Sequence, residues 1–219
     1  MDETVRLWPG RDAEGATGLR AFMAVALRRQ GVVGAVAPSS PVLARALTAV
    51  VPSSGSSVVV ELGAGTGPIS EAIRARLAPG SRQLAIDIEP SMVAHLRRAK
   101  PWLEVVHGDA ADLGALLAAA GVRKVDAVVS TLPWSLFPDA RQSAMLHEIG
   151  RVLDPAGAFT TVTYLHALPL ARARAFRRRL RGVFEEVLTT GPVWRNIPPG
   201  MTYVCRRPRD PSVQAGEHV

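Results

Sequence analysis

The stretch Val58-Val59-Val60-Glu61-Leu62-Gly63-Ala64-Gly65-Thr66-Gly67 joins a β-branched run, a carboxylate and three glycines. Such a run predicts a strand buried on both faces. Gly63, Gly65 and Gly67 let the backbone turn sharply and pass close to a ligand. A dinucleotide loop has the spacing Gly-x-Gly-x-x-Gly and seats a pyrophosphate on a helix N-terminus. Here the last interval is one residue shorter and Glu61 precedes the first glycine. An acid at that place repels a pyrophosphate and suits a cationic ligand. A nicotinamide site and a structural turn are the alternatives. Three further groups can do chemistry: Asp87 with Glu89, Gly108-Asp109-Ala110, and Ser130-Thr131-Leu132-Pro133-Trp134.

Regular elements must position these groups. Strand-like runs at Val58 to Leu62, Gln83 to Asp87, Leu103 to His107, Ala127 to Thr131 and Ala158 to Leu165 alternate with helical patterns. The helices are expected at Ile69 to Leu77, Ser91 to Lys100, Leu113 to Ala120, Asp139 to Leu153 and Leu168 to Leu180. A helix from Pro41 to Val50, capped by Ser39 or Ser40, precedes them. Two more extended runs, Val183 to Thr190 and Met201 to Arg206, follow with no helix between them. The alternation predicts an α/β fold: one Rossmann-like domain with a mostly parallel seven-stranded sheet, helices on both faces and additional N-terminal helices. Residues 1–56 are expected to form an N-terminal amphipathic helix and lid region, 57–206 the ligand-binding domain and 207–219 a disordered tail. Ligands of an open parallel sheet bind beyond the carboxyl ends of its strands, where all four groups fall.

The glycine segment resembles motif I of class I S-adenosylmethionine-dependent methyltransferases, whose loop wraps the methionine and ribose of a cofactor bearing a sulfonium and an ammonium. On that resemblance Asp87 accepts from the ribose hydroxyls, with Glu89 as a rival acid, and Ile88 packs against the adenine. Asp109 accepts from the adenine amine and the Ala110 N–H donates to the ring. The alternatives are a helix-capping role for Asp87 and for Asp109. Ser130-Thr131-Leu132-Pro133-Trp134 resembles motif IV of amino-group methyltransferases, in which a side-chain oxygen and backbone carbonyls hold the acceptor amine. Its alternative is a plain proline turn.

Composition sets the outer limits. The 219 residues are 47% hydrophobic, include one cysteine and contain no apolar run long enough to span a bilayer. Met1 to Arg11 lacks the apolar segment of a signal peptide, so a cytoplasmic location is expected. Cys205 reads as a buried strand thiol. A net charge of +7 predicts attraction to polyanions, either nucleic acid or an anionic membrane. Gly18 to Gln30 and Ala171 to Gly182 read as basic amphipathic helices, with ordinary packed helices as the alternative. No clustered His/Cys ligand set points to a metal.

Val33-Gly34-Ala35-Val36-Ala37-Pro38-Ser39-Ser40, Glu61 to Gly67, Ser130-Thr131-Leu132-Pro133, Thr163-Tyr164 and Arg195-Asn196-Ile197-Pro198-Pro199 together resemble the bacterial phospholipid N-methyltransferases. The resemblance implies stepwise methylation of phosphatidylethanolamine towards phosphatidylcholine, with residues 18–30 on the inner, anionic face of the membrane. It implies that Ser39 and Ser40 close over the methionine end of the cofactor. Ser130, the Leu132 carbonyl and Tyr164 would serve the amine, while Tyr164, Arg195 and Asn196 face the headgroup. Gly200 replaces the family's usual alanine after Pro-Pro, and Trp134 stands where an aliphatic residue is common. An rRNA adenine methyltransferase is the nearest rival, but Ser130 replaces the amide that would pair with a base and no C-terminal RNA-binding domain follows Arg206. No obligate nucleic acid is therefore expected. A small-molecule methyltransferase of secondary metabolism is the next rival.

Overall fold

A computed structural model describes residues 40–196 and 198–209. The described chain builds a seven-stranded sheet in the order β3-β2-β1-β4-β5-β7-β6. Its strands are β1 Val58–Leu62, β2 Arg82–Asp87, β3 Glu104–His107, β4 Val125–Ser130, β5 Leu153–Tyr164, β6 Phe184–Thr189 and β7 Gly200–Pro208. The first five run parallel, while β7 is antiparallel to both β5 and β6. The α/β expectation therefore holds, including the two-strand ending.

The helices are α1 Pro41–Leu47, α2 Pro68–Arg74, α3 Pro90–Ala99, α4 Leu113–Ala119, α5 Asp139–Val152 and α6 Ala171–Val183. Proline opens α1, α2 and α3, where a missing N–H costs nothing. Side chains at one register level lie on the same sheet face, and the sequence pattern sorts them. Val59, Ala127 and Val129 form a core with Leu43 and Leu47 of α1 and Ile69 and Ile73 of α2, while Ala85 packs with Leu96 of α3. Burial at this density contributes roughly 25 cal/mol per Å² of apolar surface removed from water. The N-terminal α1 is thus part of the sheet's own packing.

On the opposite face, Phe159 of β5 meets Trp134 at 6.1 Å and stacks on Phe184 at 5.8 Å, and Phe176 of α6 lies 5.0 Å from Trp134. Cys205 is fully buried in β7, as its strand context predicts, and burial pushes its thiol pKa up.

Several boundaries differ from expectation, β5 for example beginning at Leu153 and not at Ala158, and two more concern the chain after β5. The chain after β5 first makes a 3₁₀ turn, Leu165–Ala167, and α6 begins only at Ala171. The Leu165 N–H goes to the Pro199 carbonyl at 3.1 Å, and Leu170 is extended with ψ 143°, so the segment is tied to the β7 side before it coils. Strand β7 also runs through Pro208, with Arg207 paired to Glu185 and Glu186 of β6.

Candidate functional site

The turn after β1 carries Gly63, Gly65 and Gly67 at φ of 76°, 54° and 85°. A side chain at Gly63 would also meet the Leu132 Cδ2 at 2.8 Å, and one at Gly67 the Lys100 Cε at 2.2 Å. Only glycine satisfies both the backbone and the close approach there. The space around Gly65 is open to 4 Å.

Glu61 lies beneath this turn with no solvent exposure. Its Oε2 accepts from the Ser70 hydroxyl at 2.6 Å, and its Oε1 has no partner. Burial raises its pKa to about 7, opposed by the Ser70 hydrogen bond; the Asp87 charge adds to the rise and Lys100 counters it. A buried, half-partnered carboxylate invites a cation.

Asp87, 8% exposed at the end of β2, accepts from the Gly65 N–H through Oδ2 at 3.0 Å and from the Glu89 N–H through Oδ1 at 2.9 Å. Each carboxylate oxygen retains a second lone pair, so hydroxyls can still be bound. Glu89 instead caps α3, accepting from the Ser91 N–H. Ile88 follows Asp87 and is partly exposed, its carbonyl within 3.2 Å of His107 Nε2. After β3, Asp109 accepts from the Ala111 N–H at 2.9 Å and forms an ion pair with Arg141 of α5; Ala110 beside it is buried.

A second turn, expected to take the acceptor, follows β4. Ser130 is fully buried, and its hydroxyl oxygen accepts from the Leu132 N–H at 3.3 Å and the Trp134 indole N–H at 3.2 Å. Its oxygen thus serves the turn itself. The Trp134 N–H closes onto the Leu132 carbonyl at 2.9 Å, with Pro133 at φ −78° and ψ 74°, an inverse γ-turn. The Trp134 ring is 4% exposed and fills the space beneath the turn.

Tyr164, at the end of β5, is half-buried beside His166 at 5.9 Å, and burial raises its pKa. Arg195 is exposed in the loop before β7. Asn196 is 6% exposed, and its amide is engaged within the protein: Oδ1 accepts from the Ser40 N–H at 3.0 Å and Nδ2 donates to the Pro198 carbonyl at 2.9 Å. Ser40 in turn caps α1 through the Leu43 N–H at 3.2 Å. Ser39 and residues 18–30 lie outside the described residues.

These groups gather at the carboxyl ends of β1, β2, β3, β4 and β5. A cleft lined by Val50, Asp126, Asp154 and Arg206 sits at the amino ends of β4 and β5 and includes none of them. The unpartnered Glu61 Oε1, the open space at Gly65 and the spare lone pairs of Asp87 fit a ligand that carries a cation and a ribose.

A methyltransferase-domain family model matches residues 59–157. An ornithine lipid N-methyltransferase of Singulisphaera acidiphila is 35% identical over 188 residues, covering 84% of this chain and 94% of the relative. The chain belongs to the class I S-adenosylmethionine-dependent methyltransferases.

The fold is shared with solved methyltransferases. An O-methyltransferase from Bacillus cereus, in complex with SAH, matches with a TM-score of 0.61 at 15% identity over 90% of this chain and 92% of that one. A TehB-like SAM-dependent methyltransferase from Corynebacterium glutamicum matches with a TM-score of 0.55 at 15% identity, covering 87% and 99%.

Several residues of this methyltransferase's site escape a reading by motif. Thr131 donates its hydroxyl to the Gly63 carbonyl at 2.6 Å, and its N–H to the Leu62 carbonyl at 3.1 Å. Lys100, 7% exposed, threads past Gly67 to pair with Glu71. Arg141 and Gln142 of α5 hold Asp109 and the turn after β4 respectively. Thr131 stood inside a recognised motif, and its position there was the one available signal. Lys100 and Arg141 act across 29 and 32 positions, and Gln142 reaches back from a helix into the preceding turn, so none leaves a local pattern.

Proposed function

We propose that this methyltransferase methylates the amine of an aminophospholipid, phosphatidylethanolamine towards phosphatidylcholine, at the anionic inner face of the membrane. The observation that carries the reading is the 35% identity, over nearly the whole relative, to an enzyme named for N-methylation of a lipid. The rim of the site supports it. Residues 164–183 hold six arginines, Arg172, Arg174, Arg177, Arg178, Arg179 and Arg181, and no acid; residues 190–201 hold Arg195 and no acid. Leu170 and Trp194 in these segments are 56% and 70% exposed. Arg179 is paired with Asp139, but apolar tips among exposed arginines such as Arg172 and Arg178 suit an anionic interface. Among the described residues no helix is long and apolar enough to cross a membrane. Residues 18–30 remain part of the proposal as a membrane-contacting helix.

S-adenosylmethionine supplies, when bound, a methyl group already activated on a sulfonium. In this reading Asp87 accepts from the ribose hydroxyls, Ile88 packs on the adenine, and Asp109 and the Ala110 N–H address its edge. Glu61 and the Gly63–Gly67 turn receive the positively charged methionine end, under a cover from Ser39 and Ser40. The protein's remaining work is orientation and exclusion of water. The Leu132 carbonyl accepts an N–H of the acceptor amine, so that its lone pair faces the methyl group. Ser130 acts by shaping the turn that aims this carbonyl, and Tyr164 borders the same space. Arg195 offers its fork to the headgroup phosphate, while Asn196 holds the loop that presents Arg195. The acceptor must be a neutral amine, so activity rises with pH until the amine is deprotonated.

The named relative favours a second substrate, an ornithine lipid, which carries the amine and carboxylate of ornithine and no phosphodiester. Incubation with labelled S-adenosylmethionine and separate phosphatidylethanolamine, ornithine lipid, RNA and soluble-amine pools decides among them. Label in phosphatidylethanolamine is the expected result. Label confined to ornithine lipid changes the headgroup, and label in RNA or a soluble amine overturns the lipid reading.

A further inference from the structure

Gln142, on the first turn of α5, is 3% exposed, yet both ends of its amide are engaged. Its Nε2 donates to the Trp134 carbonyl at 2.8 Å and to the Phe137 carbonyl at 3.0 Å, and its Oε1 accepts from Arg179 Nη1 at 3.1 Å. The partners dictate this orientation, because carbonyls only accept and a guanidinium only donates. Arg179, on α6, is itself held by an ion pair with Asp139.

Trp134 is thereby fixed by its backbone N–H to the Leu132 carbonyl, its indole N–H to Ser130 and its own carbonyl to both the Phe137 N–H and Gln142. Between Leu132 and Trp134 stands Pro133, whose ring locks φ and leaves ψ as the soft torsion. Holding the Trp134 backbone and ring therefore constrains where the Leu132 carbonyl points.

We infer that Gln142 is a positioning residue for methyl transfer: it holds the turn that aims the Leu132 carbonyl, and Arg179 holds Gln142 in the orientation that lets it do so. The inference rests on the reading of Leu132–Trp134 as the acceptor turn. Gln142 touches neither the cofactor loop nor Asp87, so its effect falls on the acceptor side of the site.

Two variants separate this role from plain packing. Gln142→Leu fills the space without hydrogen bonds, and Gln142→Glu keeps the Arg179 partner but sets a carboxylate against two carbonyls. In both, kcat falls about tenfold or more, in keeping with the cost of a small misplacement, while affinity for S-adenosylhomocysteine stays within about twofold. The indole N–H proton signal of Trp134, identified by its loss in Trp134→Phe, shifts in both variants, and the signals of Trp8, Trp102 and Trp194 stay in place. Adding Arg179→Leu to Gln142→Leu lowers kcat no further, because Arg179 acts through Gln142. Leu117→Ala, a buried change in α4, lowers the thermal midpoint and leaves kcat intact below it. An unchanged kcat, an unmoved Trp134 signal, an additive loss from Arg179→Leu or an equal loss of cofactor affinity each overturns the inference. Should the parent protein methylate no aminolipid, the substrate reading fails, and the Trp134 signal still decides the role of Gln142.

Discussion

The Thr131 hydroxyl donates to the Gly63 carbonyl across 2.6 Å, joining the turn that follows β1 to the turn that follows β4. In the proposed reading the first of these turns receives the cofactor and the second the acceptor. This side chain thus adds to the Thr131 N–H bond to the Leu62 carbonyl in setting the spacing between the two, and in that reading methyl transfer depends on the spacing.

Thr131→Val, nearly the same shape without the donor, is expected to weaken S-adenosylhomocysteine binding by about fivefold, the equivalent of a typical hydrogen bond of ~1 kcal/mol. Thr131→Ser keeps the donor and should bind as the parent does. Titration calorimetry on the three proteins checks both statements.

Glu61 gives the free protein a pH dependence. Its folded pKa, raised to about 7 from 4.5 by burial, lies above the unfolded value. The associated stability is fully present below about pH 4.5 and is lost as pH rises through about 7, a loss on the order of a few kcal/mol. The thermal midpoint of the free protein should therefore fall between pH 5 and 8, and Glu61→Gln should flatten that fall. A cationic ligand favours the ionised form, so cofactor binding should release a proton near pH 6.5 in the parent and none in Glu61→Gln. Calorimetry in buffers of different ionisation enthalpy reads the proton directly.

Asp87 orders the Gly65 N–H, and in the proposed reading it also serves the ligand. Asp87→Ala is expected to weaken cofactor binding by roughly tenfold to a hundredfold, the range of one or two charge-assisted hydrogen bonds. Equal affinity in parent and variant would remove Asp87 from the ribose role.

Vesicle sedimentation tests the surface. Replacing exposed Arg172 and Arg178 by Gln should weaken binding to anionic vesicles by about tenfold or more, at roughly 1 kcal/mol for each basic residue near the surface. The Arg20, Arg28 and Arg29 to Gln variant, in residues 18–30, should do the same. Salt should weaken the parent's binding, and cofactor affinity should not change in either variant. Indifference of the parent to both anionic and neutral vesicles would refute the membrane proposal.

The strands and turns of the proposed cofactor side were legible in the amino-acid sequence because their signals are local. A β-branched run, three closely spaced glycines and an acid at the end of the next strand are short patterns whose backbone demands can be read without knowing the partner strand. Their order along the chain also implied the parallel sheet, since each strand of a doubly wound fold delivers its following turn to the same edge. The late start of α6 was not legible, because it depends on the Leu165 N–H meeting the Pro199 carbonyl on another strand's loop.

The acceptor side was decided by tertiary structure. Ser130 and Asn196 stand in recognisable motifs, but only the folded chain shows the Ser130 oxygen occupied by Trp134 and the Asn196 amide spent on Ser40 and Pro198. Gln142 sits in an ordinary helical pattern, and its importance comes from two carbonyls and an arginine supplied by other segments. Residue type alone determined that these side chains could donate or accept. Which partners they took was set by burial: a polar group removed from water must find its hydrogen bonds among whatever groups the packed elements bring within reach.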